Sequence, residues 1–469
     1  MKKNSLASNI LVAFVAQGIS MTLSILISFI VPKVLDVESF SYWQLFIFYI
    51  SYVGIFHFGI NDGVYLKYGG MTTNEMDKEL VSGQFKILVA VETVLSILLL
   101  VVVKFIDLEN ERYYVLFMTC IYMFFANTGL YIGYIFQAAN KTKLYSYSVI
   151  IDKVFFLVLL IGLFIAKNDD FRIYIIAYLV GKIICAIFCY IKGREIAFAK
   201  ITNWKRVSIE LIDSIRAGIK LTISSMSSMF ILGCGRFFLD SCWGITVFGK
   251  VSFALSLSSF ALAFISQVSM VLFPYLRRKE STQIKTIFME VRNMLFLILP
   301  LIYVLYIPAK HLLINWLPQY EDSLTYLGIL LPICLFDAKM NLLCNTFFKV
   351  MRGEKDLLRI NLISVIISFV TAVFATFVLN SYWVVIVSMV SVVAFRSIFA
   401  EYVLGKKLEN HKWSTSVEEL LISIAFCVVS TCLRDDLAFV VVFILYLILL
   451  AINRKYISQM IKFMKSIKS

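Results

Sequence analysis

Charge is scarce in this chain. Asp, Glu, Lys and Arg supply 16% of its 469 residues against 60% hydrophobic ones, and the mean hydropathy is +0.86. Such a composition cannot furnish a water-facing surface, which excludes a soluble enzyme. Histidine is scarcer still, with three residues. No DxD, HExxH or triad-like cluster accompanies them and the outer loops are short, so acid-base catalysis by a polytopic polymerase, ligase or glycosyltransferase has no evident home. The nine cysteines form no CxxC pair. Most of them (Cys120, Cys185, Cys189, Cys234, Cys334, Cys344, Cys427) lie in apolar runs, as small core residues do, and imply neither disulfides nor a metal site. Acids are outnumbered, 30 to 44, for a net charge of +14. On so apolar a chain this excess points to basic loops beside a membrane, not to nucleic acid. Lys2 and Lys3 precede an apolar run with no small-residue cleavage site, so the first segment reads as a retained helix.

What the chain does have is long apolar runs. A span needs about 20 such residues to cross about 30 Å of hydrocarbon. Runs of this kind predict an all-α polytopic membrane protein with about fourteen helices, near 9–31, 40–60, 85–103, 114–136, 149–166, 172–191, 217–239, 248–273, 287–307, 324–348, 359–379, 382–404, 418–433 and 437–452. With a cytoplasmic N-terminus, thirty Lys and Arg fall in inside segments and eight outside, leaving six within helices. That bias predicts both termini inside and an even number of spans.

Segments also match across the chain. Phe40-Ser41-Tyr42 and Phe248-Gly249-Lys250 open the second and eighth helices 208 residues apart, and Phe136–Lys141 and Phe348–Gly353 close the fourth and tenth 212 apart. These offsets predict two pseudo-symmetric six-helix lobes in parallel repeat, 1–200 and 201–412, followed by two further helices and a basic tail in 413–469. The basic stretch Lys192 to Arg216 becomes the interlobe linker, where Val207, Ile209, Leu211, Ile212 and Ile215 mixed with charges suit an interfacial amphipathic helix.

The stretch from Phe56 to Gly70 (FHFGINDGVYLKYGG), with Gly235–Asp240 (GRFFLD), Phe248–Phe253 (FGKVSF) and Leu272–Arg278 (LFPYLRR), resembles the Wzx-type polysaccharide flippases, bacterial exporters of the multidrug/oligosaccharidyl-lipid/polysaccharide (MOP) superfamily. The resemblance covers most of the chain. It implies a cytoplasmic-membrane protein that flips undecaprenyl-pyrophosphate-linked oligosaccharide repeat units for O-antigen or capsule assembly. It also implies membrane lipids, a polysaccharide polymerase and chain-length machinery as partners, with no cofactor and no enzymatic activity.

Such a substrate needs a wet cavity for its sugars, cations for its diphosphate and a lateral opening for its tail. Ionisable residues at a helix centre cost about 2.5–3.5 kcal/mol or more, so they face a cavity or a partner. The candidate cations are Lys153, Lys182, Arg236, Lys339 and Arg396, and the candidate acids are Glu92, Asp152 and Asp337. Cations exceed acids, which suits an anionic ligand. Lys182 and Arg396 stand out because neither has an acid at i±3 or i±4 in its own segment. Glu92 is the leading proton or ion site, with Asp152 and Asp337 behind it. In the competing reading each charge meets an opposite one, Arg236 with Asp240 or Glu92 with Lys182. Asn341 and Asn345, four and eight residues after Asp337, and Gln267 on helix eight extend the polar lining, although such residues also serve close helix packing. An antiporter of cationic drugs is the rival within the same fold and would favour acids in its lumen.

Overall fold

The computed structural model describes residues 3–276, 280–408 and 413–458, without the side chains of 3–14, 16–17, 261, 263–275, 281–282 and 413–414. Lys2, Arg277, Arg278, Lys279, Lys412, the tail lysines Lys462, Lys465 and Lys468, and the side chains of Lys3 and Gln267 therefore lie outside what is described. All described regular structure is helical. The helices are α1 (Lys3–Val34), α2 (Val37–Tyr52), α3 (Ile60–Tyr68), α4 (Lys78–Phe105), α5 (Asn110–Ala138), α6 (Thr142–Ile165), α7 (Phe171–Lys192), α8 (Arg194–Ala197), α9 (Trp204–Trp243) and α10 (Ile245–Leu276). They continue with α11 (Ser281–Ile298), α12 (Leu301–Trp316), α13 (Glu321–Leu330), α14 (Pro332–Lys339), α15 (Thr346–Val350), α16 (Glu354–Phe377), α17 (Tyr382–Lys407), α18 (Trp413–Cys432) and α19 (Asp435–Ile452). Among the described residues eleven helices are long and apolar enough to cross a membrane, or twelve if the bent pair Pro318–Leu330 and Pro332–Val350 forms one span; Gly18–Val34 and Ile245–Phe260 are shorter apolar helices. α1 and α10, each 32 residues long, enter this tally only through those shorter stretches, and the sequence predicts about fourteen spans.

Local chemistry sets the ends. Asp36, Asp77 and Asp170 each cap a helix by accepting backbone N–H groups, as from Ser39 at 2.7 Å and Arg172 at 2.9 Å, satisfying donors that hydrocarbon would leave bare. The turns after α5 and α15 share one closing geometry. Asn140 and Arg352 are both left-handed, with φ 58° and 55°. The following N–H groups reach back five residues, Lys141 to Phe136 O at 2.8 Å and Gly353 to Phe348 O at 2.7 Å. These are the segments that the sequence matches at an offset of 212.

The chain forms two compact units, Met1–Met226 and Ser227–Ser469, and the boundary falls inside α9. In the first unit α5 is central. Its Tyr131, Ile132, Ile135 and Phe136 are fully buried against Val81, Phe85 and Leu88 of α4, Ile60 and Val64 of α3, and Cys189 of α7, while α1 lies along α6 and α6 along α7. In the second unit α16 pairs with α17, α10 and α17 flank α13 and α14, and α19 packs on α12 and α18.

Two interruptions differ from the uniform spans expected at 40–60 and 324–348. A 3-10 turn, Val53–His57, ends α2, and Phe58 and Gly59 are then left-handed (φ 50° and 83°) before α3 resumes. Further on, the axis bends by 47° between α13 and α14, and Met340–Asn345 form a π-helical turn. Nor do Val207–Ile215 form a separate interfacial helix. They open α9, whose 40 residues extend about 60 Å. Val207 is fully buried and Leu211 and Ile215 pack on the core cluster, so one apolar stripe of the linker meets a protein face, while Ile209 and Ile212 remain exposed.

That packing depends on small residues. A Cβ on Gly63 would strike the carbonyl of Ser214, and one on Gly218 would strike Gly59 O and Gly63 N, so α3 and α9 touch backbone to backbone. Gly162 on α6 has open space instead. Gly218→Ala is expected to destabilise the detergent-solubilised protein by about 1–3 kcal/mol through forced separation, seen as a lower melting temperature and reduced monodisperse yield. Gly162→Ala should leave both unchanged, and equal behaviour of the two variants would refute the contact.

Candidate functional site

The first unit contains a cavity of about 330 Å³ lined by α2, α5, α6 and α7. Gly54, Gly129 and Gly133 lie on its wall, and Asn127, Ser148, Asp152, Lys153 and Lys182 make it polar. The sequence candidates Lys153, Lys182 and Asp152 thus meet in one place. Lys182 on α7 pairs with Asp152 on α6 at 2.7 Å and stands 5.7 Å from the Tyr122 ring centroid on α5. The approach is possible because Gly181, beside Lys182, lets α7 lie on the backbone of α6: a Cβ there would sit 2.6 Å from Asp152 O. Lys153 donates to the Ser24 hydroxyl on α1. Two cations therefore face one carboxylate.

Glu92 stands behind the wall on α4, fully buried. Its partner is Asn127, whose amide donates to Oε1 at 2.7 Å, and not Lys182. The same amide reaches Val53 O at 2.9 Å, a carbonyl released by the break after α2, and Asn61 Nδ2 donates to Asn127 O at 3.0 Å. Glu92 Oε2 and Asn61 Oδ1 have no hydrogen-bond partner among the described residues. The site thus joins a broken helix, two asparagines and one carboxyl carrying no cation, an arrangement able to take up a proton without breaking an ion pair.

In the second unit Arg396 on α17 is tied to three other helices. Nε donates to Asn361 on α16 at 3.0 Å, Nη2 to Ser228 on α9 at 2.9 Å, and Nη1 lies 3.5 Å from Asp337 on α14. Neither Lys182 nor Arg396 is the unpaired cation that their own segments suggested, because the acid comes from another helix in each case. Arg236 donates to Ser252 at 3.1 Å and lies over the Phe248 ring at 5.1 Å. Asn345 donates to Asn341 at 3.0 Å within the π-turn, so part of the expected polar stripe is satisfied internally.

Lys339 requires a correction. The sequence placed it on a cationic lumen, whereas its side chain is wholly buried between Glu401 on α17, at 2.9 Å, and Glu419 on α18. Arg292 on α11 also binds Glu401, and Ser416 donates to Glu401 Oε2 at 3.0 Å. The bend and the π-turn upset the face assignment made on an unbroken helix. Sequence reading passed over Arg292, Glu401 and Glu419 because the two acids sit at helix ends, where carboxylates are commonly solvated. The available signal was Lys339, mid-helix and without a local counterion beyond Asp337.

This network balances two cations with two acids. Lys339→Met strands a buried carboxylate and is expected to destabilise the protein by about 3–5 kcal/mol. Adding Glu419→Gln removes the stranded charge and should restore most of the melting temperature. A double variant as unstable as the single one would refute the pairing.

The second unit also has an apolar groove of about 700 Å³ among α13, α14, α17 and α18, with Phe336, Phe395, Phe399, Ile424 and Val428 on its walls. Among the described residues no group of three or more His, Cys, Asp or Glu side chains is placed to hold a metal ion.

Residues 6–280 match the family model described as polysaccharide biosynthesis protein. No curated protein matches the chain in sequence. Among solved structures, the lipid II flippase MurJ in an inward closed conformation is 14% identical with a TM-score of 0.63, the alignment covering 95% of this chain and 100% of that one. An inward-facing multidrug resistance MATE family transporter of the MOP superfamily is 12% identical with a TM-score of 0.59, over 85% of this chain and 99% of that one. At these identities the likeness establishes the fold. Since the family model spans more than half of the sequence, the chain belongs to the polysaccharide biosynthesis protein family, and its fold is that of the MOP-superfamily transporters.

Proposed function

We propose that the protein flips undecaprenyl-pyrophosphate-linked oligosaccharide repeat units across the bacterial cytoplasmic membrane by alternating access, with both termini cytoplasmic, supplying a polymerase and chain-length machinery for O-antigen or capsule assembly. The observation that carries this reading is the first-unit cavity, where Lys153 and Lys182 face Asp152 alone. A diphosphate can displace the carboxylate from Lys182 and keep the charge-assisted contacts that make a cation affordable in hydrocarbon. Asn127, Ser148 and Tyr145 on the same wall offer hydrogen bonds to sugar hydroxyls. In the second unit Arg396, with Asp337 and Asn361, is the proposed counterpart. The apolar groove beside Phe336 and Phe399 suits the polyprenyl tail, which stays in the bilayer. Glu92 is the proposed proton site.

A drug antiporter is the second reading, favoured by the buried carboxyl of Glu92. The cation excess of the cavity argues against a cationic substrate.

Lys182→Gln combined with Asp152→Asn removes both charges while leaving groups that still hydrogen-bond, so the fold should persist at normal membrane abundance. Surface polysaccharide and flipping by proteoliposomes should fall at least about tenfold, the loss of one charge-assisted contact. Wild-type export by this double variant would refute the role of the cavity, and inhibition of the wild type by lipophilic cations at equal charge-pair occupancy would favour the antiporter.

The topology has its own test. Alkaline phosphatase fused after Lys455 should be inactive and a cytoplasmic reporter at that point active, given thirty inside bases to eight. Phosphatase activity there would overturn the orientation.

A further inference from the structure

A second cavity in the first unit, about 380 Å³, opens at the basic end of its helices and is separate from the polar cavity described above. It lies between the turn that joins α5 to α6 and the end of α7. Phe136, 1% exposed, and the buried Ile196 form apolar wall, and Lys141, Lys192 and Arg194 stand around it. All three cations are exposed, and none forms an ion pair or a side-chain hydrogen bond among the described residues. The acid on this wall, Glu195, is drawn to Lys78 at 3.5 Å. Concave space with three unspent cations is complementary to an anion bearing several oxygens, and Arg194 presents a fork suited to phosphate.

The neighbourhood says what carries that anion. Ile191, Phe198 and Trp204, 62%, 63% and 51% exposed, surround the same end of the unit. Large apolar and indole side chains beside lysine and arginine belong at the level of lipid head groups, where rings and stems contact acyl chains and cations reach the phosphates. We infer that this cavity binds the phosphate head group of a membrane lipid, held by Lys141, Lys192 and Arg194. The inference does not rest on the transport reading, since none of these side chains lines the polar cavity.

The test uses the full chain in detergent, with native mass spectrometry of bound lipid after addition of cardiolipin, phosphatidylglycerol, phosphatidylcholine or a polyprenyl diphosphate. The site variant is K141Q/K192Q/R194Q, and the control K143Q/K200Q/K205Q removes the same charge from exposed positions off the cavity wall. The anionic lipids should stay bound to the wild type and the control, and the site variant should retain about tenfold less or lower, given the attraction contributed by each basic residue. Preference for cardiolipin and phosphatidylglycerol identifies a phospholipid, and preference for the polyprenyl diphosphate identifies that lipid; either supports the site. Equal retention by the site variant and the control overturns it. So does inorganic pyrophosphate that shields Lys192 from an amine-reactive label as well as the lipids do, which assigns the cavity to a soluble anion. Unchanged melting temperatures in both variants exclude misfolding as the cause.

Discussion

A charge set among apolar helices must be answered from within the protein, and much of this structure follows from how each is answered. The six bases that the sequence sets inside its apolar runs all find a partner on another helix. Lys153 reaches Ser24, Lys182 Asp152, Arg236 Ser252, Arg292 and Lys339 Glu401, and Arg396 Asp337. Between helices whose surroundings are as apolar as they are, the hydrophobic effect discriminates poorly among packings, so such ties help to fix which faces meet. They fall into two kinds. The knot of Lys339, Arg292, Glu401 and Glu419 is closed, with two cations balanced by two acids, and it holds α11, α14, α17 and α18 together. The Lys153, Lys182 and Asp152 group is open, with an excess cation beside empty space.

Backbone groups obey the same constraint. Breaking a span exposes carbonyls and N–H groups, tolerated only where protein or a cavity receives them. After α2 the carbonyl of Val53 is taken by Asn127 and the N–H of Gly59 by His57 Nδ1 at 3.1 Å. That break also lets α3 meet α9 through Gly59, Gly63 and Gly218, where any side chain would collide with backbone. In the second unit the bend and the π-turn fall beside Asp337, Lys339 and Asn341. In each unit irregular backbone and intramembrane polar residues occur together.

The sequence made the all-helical membrane class legible, because apolar runs of span length leave no other use for the chain. It also made the closing turns legible. Phe136–Lys141 and Phe348–Gly353 match in sequence and end in the same left-handed geometry. The mid-helix positions of Lys182 and Arg396 marked them as residues needing an answer. Its source was hidden, since a local search sees i±4 while Asp152 lies 30 residues from Lys182, Glu401 62 and Glu419 80 from Lys339. Glu401 and Glu419 were passed over because a carboxylate at a helix end is indistinguishable by sequence from a solvated one. The misplacement of Lys339 has a different origin: helical spacing assigns faces only while the helix continues, and nothing in Asp337–Asn345 announces a π-turn.

The pairing of Lys182 with Asp152 bears on how such a site would work on the proposed reading. A bare cation at this depth would be costly in the unloaded protein, and an anion binding to it would be hard to release. With Asp152 as resident partner, binding would on that reading exchange one anionic contact for another, so the net free energy would be a difference between two similar terms. On the proposed reading, Lys153, answered only by a hydroxyl, supplies the surplus that draws an anionic head group in. Asp152 can then reclaim Lys182 as the ligand leaves. A transporter must bind on one side and let go on the other, and its affinity in the two states differs only by contacts that change between them. On that reading a carboxylate competing for the same ammonium, on a helix held against it by Gly181, would be a contact of that kind.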